Sequence, residues 1–440
     1  MSSQGLEVLG APIGSQHFVK EFTTDKFLKI RAIVEQLTKI AKLFPQHSFA
    51  NFLKSTKHKA TYLARTTKDA ALFAKPYDEA IEDYLTTLFG RQLDDCLINQ
   101  SELPIARGGL GINITFSDYS ARQFQDSCAL TYDLSRHIAF GDPKTSLRNH
   151  DIVNRIKADK KSFWDQKCKS FKDSLNSEQL LRFDELSIPS ANAWLHALPV
   201  NWKPNLSLPK NDFQDALLIR FNKLPNDLPA VCPAQDCNEE FNLAHADVCP
   251  IGGVINRRHD YIKIIVAKYA EKAFGPSSTV IEPLLGILDP IAKEMVHGNK
   301  SDIARADISI RSLLNSHRTS FIDVSVISPV CATNRSYSVS KSISNAEKKK
   351  VNSYHDRILK QLGGDFLPFC LSSGGVFGSS AKKIINLIVN KLTAINQDNS
   401  SDLKREIQTD ISMSLVKSRI QGLRASRNGI ISQLSKFRTP

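Results

Sequence analysis

The chain has 440 residues, a net charge of +13 and an isoelectric point near 9.3, with 41% hydrophobic and 23% charged residues. That composition is ordinary for globular protein, leaves room for two to four domains with buried cores, and favours polyanionic partners such as nucleic acid without excluding a merely basic protein. No apolar run approaches the roughly 20 residues that span a bilayer, the first ten residues lack a basic stretch followed by an apolar core, and eight cysteines are too sparse for a disulfide scaffold.

In chain order, Gly10-Ala11-Pro12-Ile13-Gly14-Ser15 is turn-rich, with little local structure expected of its own. Phe27, Ile30, Ile33, Val34, Leu37, Ile40 and Ala41 recur at helical steps, which predicts a helix over 24–42 that stops before Pro45. Further helices are expected over 48–65 and 77–97, the latter with Asp78 as cap. Gly108, Gly109 and Gly111 then break the helical run and permit positive φ or close backbone approach. Residues 115–190 read as helical and basic, and Pro199, Pro204 and Pro209 mark a linker. A solvated helical bundle accounts for this half equally well. No internal repeat or long low-complexity tract is present.

Leu9-Gly10-Ala11-Pro12-Ile13-Gly14 with Phe18, Tyr62-Leu63-Ala64-Arg65-Thr66, and Leu103-Pro104 followed by Gly108-Gly109-Leu110-Gly111 resemble, in that order, the palm end and thumb of a non-LTR retrotransposon reverse transcriptase. Trp194-Leu195 with Pro199 is similar to the linker that follows in such proteins. No Tyr-x-Asp-Asp precedes the thumb-like segment, so the chain is not expected to polymerise DNA by itself.

Cys232, Cys237, His245 and Cys249 bring three thiolates and one imidazole within eighteen residues. Four S/N ligands suit a closed, tetrahedral, structural Zn²⁺ site in a segment too short for its own core. The cluster is similar to the Cys-Cys-His-Cys knuckle that precedes the endonuclease of site-specific non-LTR elements. Cys96, Cys128, Cys168, Cys331 and Cys370 are scattered and are expected to pack as small apolar residues.

Beyond the knuckle the signals alternate. An amphipathic helix is expected over 258–274, with Ile262, Ile265, Val266, Tyr269, Ala270 and Ala273 on one face. Strands are expected over 279–285, 302–312 and 320–328. In the second, Ala304, Ala306, Ile308 and Ile310 share a face and Asp307 points the other way. A helix over 344–362, a strand over 365–371 and a helix over 380–392 complete the order αβββαβα, the core order of restriction-endonuclease-like, PD-(D/E)xK nucleases. Asp307 and Asp323 on neighbouring strands can converge on one Mg²⁺, which polarises a phosphate and acidifies a water. An aspartate in an apolar strand is otherwise disfavoured. Glu282 is a candidate third acid, weighed equally against an exposed strand end.

The position two residues after the second acid is Ser325, not lysine. In the retrotransposon endonucleases that this chain resembles, the lysine comes from the next helix, and Lys350-x-x-x-Tyr354 matches that form, with Lys341 as second candidate. The resemblance also implies nucleic-acid contacts at Arg258 and His259, where relatives carry a similar Arg-His pair, and at Arg305. His259 reads equally well as a packing or capping residue.

The expected architecture is therefore multidomain: a palm end and all-α thumb-like domain (1–112), a helical linker (113–228), a zinc knuckle (229–252), an α/β restriction-endonuclease-like domain (253–400) and a basic tail (401–440) with Lys417, Arg419, Arg424, Arg427, Lys436 and Arg438. The tail can follow phosphates or simply be disordered. The resemblance implies a nuclear, Zn²⁺- and Mg²⁺-binding endonuclease that nicks target DNA for primed reverse transcription, with element RNA or an RNA–DNA duplex as further partner. A non-catalytic nucleic-acid-binding remnant is the alternative.

Overall fold

The computed structural model describes residues 5–113, 116–140, 145–200, 203–234, 236–251, 254–288, 290–397 and 399–427. The chain is mostly helical with a small mixed sheet, and among the described residues no helix is long and apolar enough to cross a membrane. It divides into two compact units, Met1–Leu175 with Leu208–Leu217, and Asn176–Ser207 with Leu218–Pro440.

The first unit opens on a hairpin where only a turn was expected. β1 (Gly5–Val8) pairs antiparallel with β2 (Ala11–Gly14), Val8 opposite Ala11. Leu9 and Gly10 at its tip take φ of 50° and 82°, the signs that a two-residue type I′ turn requires. α1 (Gln16–Ala41) starts earlier than its apolar stripe because Ser15 caps it, accepting from the Phe18 N–H at 3.3 Å. The helix expected over 48–65 is divided into α2 (Pro45–Asn51) and α3 (Lys57–Thr66) by a π turn at Phe52–Thr56. The one expected over 77–97 also divides. α4 (Lys75–Phe89) stops at left-handed Gly90, and α5 (Asp95–Glu102) restarts with Asp94 as its cap. Asp78 lies in the first turn of α4 and is not its cap. At Gly109 a Cβ would fall 1.9 Å from the Leu103 carbonyl oxygen, so the close approach is to the chain's own backbone. α6 (Ser117–Phe140) and α7 (Thr145–Asp173) follow in this unit. In the returning stretch, Leu208 donates its N–H to Gln46 at 2.7 Å, and Phe213 packs on Phe49.

In the second unit, α8 (Ser177–Leu186) begins with a reciprocal cap between Asn176 and Gln179. α9 (Lys210–Arg220) runs across the division between the units. The knuckle helix α10 (Leu243–Val248) and α11 (Val254–Phe274) follow. Then come β3 (Thr279–Ile281), α12 (Pro290–Met295), β4 (Ile308–Arg311), β5 (Thr319–Ile327), α13 (Val339–Leu362), β6 (Asp365–Ser372), α14 (Ser379–Asn396) and α15 (Ser400–Arg427). The sheet order is β3-β4-β5-β6, antiparallel except for the parallel β5–β6 pair, whose crossover is α13. One core holds Ile262, Val266 and Ala270 of α11, Ile308, Ile322 and Phe369 of the strands, Ile384 and Ile388 of α14, and Ile407, Ile411 and Leu415 of α15. A second gathers Ala304, Ala306, Phe321, Phe366 and Ile358 of α13.

Two expectations change here. The strand expected over 302–312 is regular only from Ile308, and Ala306 and Ile308 lie in different cores. Asp307 and Ile308 both face Ile322: the Asp307 N–H donates to the Ile322 carbonyl at 3.0 Å, and Ile308 is Ile322's register partner. Two residues against one is a β-bulge, which inverts the facing of whatever precedes it. The segment expected to be a basic tail from 401 is instead helical through Arg427 and lends apolar side chains to the core. Lys436 and Arg438 lie outside the described residues.

Candidate functional site

The knuckle is built by turns rather than by a core. Cys232 and Phe241 donate their N–H groups to Glu239 and Ala230 at 2.8 and 2.9 Å, closing a short antiparallel bridge between Val231 and Glu240. Asp236 and Asn238 within it take positive φ, as short polar residues tolerate. α10 starts at Asn242, whose side chain accepts from the His245 N–H at 2.9 Å, and ends where the Cys249 N–H returns to the His245 carbonyl at 2.8 Å.

These turns gather the Sγ atoms of Cys232, Cys237 and Cys249 and a ring nitrogen of His245 within 4.8 Å of one another. Cys249 Sγ is 3.9 Å from both other sulfurs, and Cys237 Sγ is 3.3 Å from His245 Nε2. A tetrahedron with Zn–S legs of about 2.3 Å has S···S edges of about 3.8 Å. The cluster could hold a metal ion such as zinc. Burial and the neighbouring thiols push Cys232 up to about 12, the penalty that a bound cation relieves. None of the eight cysteines is in a disulfide, and Cys128 is exposed rather than packed as an apolar residue.

The second constellation lies at the bulge. Asp307 turns its carboxylate to the Val324 N–H at 2.6 Å, next to Asp323. Its Oδ2 also lies 3.0 Å from His259 Nε2, and His259 Nδ1 is 3.2 Å from Asp260. Lys263 Nζ bridges Asp260 at 2.9 Å and Glu282 at 2.6 Å. On the other side, Lys350 Nζ of α13 is 2.7 Å from Asp323 Oδ2. The contact is a close ion pair, with the Asp323 side buried.

Electrostatics follow the geometry. Burial raises the Asp323 pKa and nearby Asp307 adds to the rise, against the pull of Lys350 and His259. Burial lowers Lys350, but Asp323 outweighs it and the ammonium is held charged. The hydrogen bond to Asp307 raises His259 despite burial. Burial opposes the charge on Asp260, yet Lys263 and His259 hold its pKa below the usual carboxylate range.

Asp307, Asp323, Lys350 and His259 are thus brought together. Glu282, the candidate third acid, is half exposed and drawn to Lys263, at a left-handed φ of 52°. Tyr354 packs its ring on Phe366, with Lys350 Nζ 5.9 Å from the ring centre. Lys341 is exposed in the first turn of α13, about 13 Å along the helix from Lys350 at 1.5 Å per residue. Arg305 is exposed and donates to the Glu282 carbonyl at 2.8 Å.

Arg258 departs from expectation. It is 3% exposed and donates through Nη2 to the Asp247 carbonyl at 3.1 Å, so it cannot reach a nucleic acid in this fold. It belongs to a buried ionic cluster that sequence reasoning missed. Arg419 grips Asp247 through Nε and Nη2 at 2.9 and 3.1 Å, and Arg182 adds a contact at 3.2 Å. Burial works against the Asp247 charge, but Arg419, Arg182 and Arg258 hold its pKa down. Lys263 was also missed, although its spacing of three from Asp260 on a helix was a usable signal.

The chain matches no protein-family model, and no curated protein is similar enough to match it.

Proposed function

We propose that the second unit is a metal-dependent endonuclease that nicks DNA, with a restriction-endonuclease-like core. The chain would be the thumb, linker, knuckle and nuclease portion of a retrotransposon protein acting in the nucleus. The observation that carries this reading is the Asp307 carboxylate on the Val324 N–H at 2.6 Å, beside buried Asp323, with Lys350 2.7 Å from Asp323.

The donor set fits the implied ions. Asp307 and Asp323 offer hard oxygens that would hold Mg²⁺, and Asp323 is a buried carboxylate whose charge asks for cations beside it. A bound Mg²⁺ supplies charge to polarise a phosphate and acidify a water. Lys350 would hold or take a proton at Nζ and offset phosphate charge. His259 orients the Asp307 carboxylate. Exposed Arg305 would meet a backbone phosphate. Cys232, Cys237, His245 and Cys249 would hold Zn²⁺ as a closed structural site. The first unit would contact element RNA or an RNA–DNA duplex.

The test is nicking of supercoiled plasmid with Mg²⁺. Wild type is expected to nick. Asp307→Ala and Asp323→Ala lose the activity, and Lys350→Ala loses about 10²-fold or more. Equally poor nicking by wild type and Asp307→Ala overturns the enzyme reading. One observation favours a second reading, a non-catalytic nucleic-acid-binding remnant: Lys350 pairs with Asp323 and His259 with Asp307, which balances the charges without a metal ion. DNA binding without nicking selects it.

A further inference from the structure

We propose that Asp247 and Arg258 form a strut through which metal in the Cys232, Cys237, His245 and Cys249 site sets the position of His259 against Asp307. The link to catalysis rests on the nuclease reading; the link from metal to His259 does not.

α10 has six residues, far below the length at which a helix is stable alone. Its geometry therefore depends on what holds its ends. His245 in its first turn and Cys249 just after it both belong to the metal cluster. Asp247 lies between these two. Its carboxylate is held by Arg419 and Arg182, and its carbonyl accepts from Arg258. Both faces of one residue are thus fixed from outside the knuckle.

Arg258 and His259 are consecutive on α11. Neighbours on a helix point about 100° apart, so one rigid turn serves two directions. Arg258 reaches back to α10, and His259 reaches Asp307 at 3.0 Å. Arg258 Nε is buried with no partner, so the Asp247 carbonyl is what its guanidinium holds on this side. Without metal, α10 loses its ligated ends and its backbone turns about the Asp247 carboxylate, which Arg419 and Arg182 still hold; the Asp247 carbonyl then leaves Arg258, whose buried guanidinium loses that hydrogen bond. The first turn of α11 then shifts and carries His259 with it. Groups that orient a metal's ligands, as His259 would orient Asp307, typically change metal affinity 10–100-fold.

The experiment uses the full chain with ¹⁵N-labelled histidine, and a His259→Gln variant assigns the ring signal. Stripping zinc with a chelator is expected to move the His259 signal, and adding Zn²⁺ back to restore it. Arg258→Met should keep its zinc by elemental analysis yet show the stripped signal even when loaded. Mn²⁺ affinity at Asp307 and Asp323 should fall about tenfold in that variant. Should Arg258→Met not fold, Arg258→Lys keeps the charge without the fork and gives the same comparison. A His259 signal indifferent to zinc, or one that still follows zinc in the Arg258 variant, overturns the strut. If wild type binds no Mn²⁺ while its His259 signal follows zinc, the nuclease reading fails and the strut stands.

Discussion

Burial pushes the Asp78 carboxyl from 3.8 up to about 6, against the pull of the Phe116 backbone N–H. A raised carboxyl pKa means the folded state binds the proton more tightly. Its contribution is therefore most favourable below pH 3.8 and is lost as pH rises toward about 6. Asp78→Asn should flatten that part of the stability profile, and unfolding curves between about pH 4 and 6 check it. The same scale shows what a sequence can reveal. Asp307 and Asp323 were legible because carboxylates in apolar strands ask for a reason. The bulge that aims Asp307 was not, since a bulge is a matter of hydrogen-bond register with no residue signature of its own. Arg258 was misplaced because the resemblance put an Arg-His pair on nucleic acid, whereas here the arginine is buried. Its true partner, Asp247, offered only a lone acid inside a ligand run.

Among the elements, the knuckle stands or falls by its ligands. Cys237→Ser should lose the bound metal, read as metal per chain by elemental analysis, because three ligands no longer close the site. Unchanged metal content removes the structural-zinc reading. α11, α13, α14, β5 and β6 were legible from period and from bounding turns, as their cores follow those periods. The hairpin was not: glycine and proline in Gly10-Ala11-Pro12 read as a turn, while its strands are four residues each. α15 was overlooked because its cations drew the eye. Yet Ile407, Ile411 and Leu415 recur every four residues, and all three are buried.

For the whole molecule, the charge of +13 makes polyanion binding a salt-dependent quantity. DNA affinity should fall about 10³-fold between roughly 50 and 200 mM salt if six or so phosphates are neutralised. A flat response, measured by anisotropy, would remove the nucleic-acid reading. Composition could indicate that much. It could not indicate that residues 208–217 return to the first unit, because such a return depends on distant partners such as Gln46 and Phe49. The grip of Arg419 on Asp247 carries a consequence for synthesis. The two residues are 172 positions apart. At about 5–20 residues per second, the ribosome adds Arg419 roughly 10–30 s after Asp247. Through that interval the nascent second unit holds Asp247 with Arg182 but without the two-pronged grip of Arg419. α15 is therefore the latch that ends that unit's exposure to chaperones and proteases, and chains stopped before residue 400 should be cleared rather than accumulate.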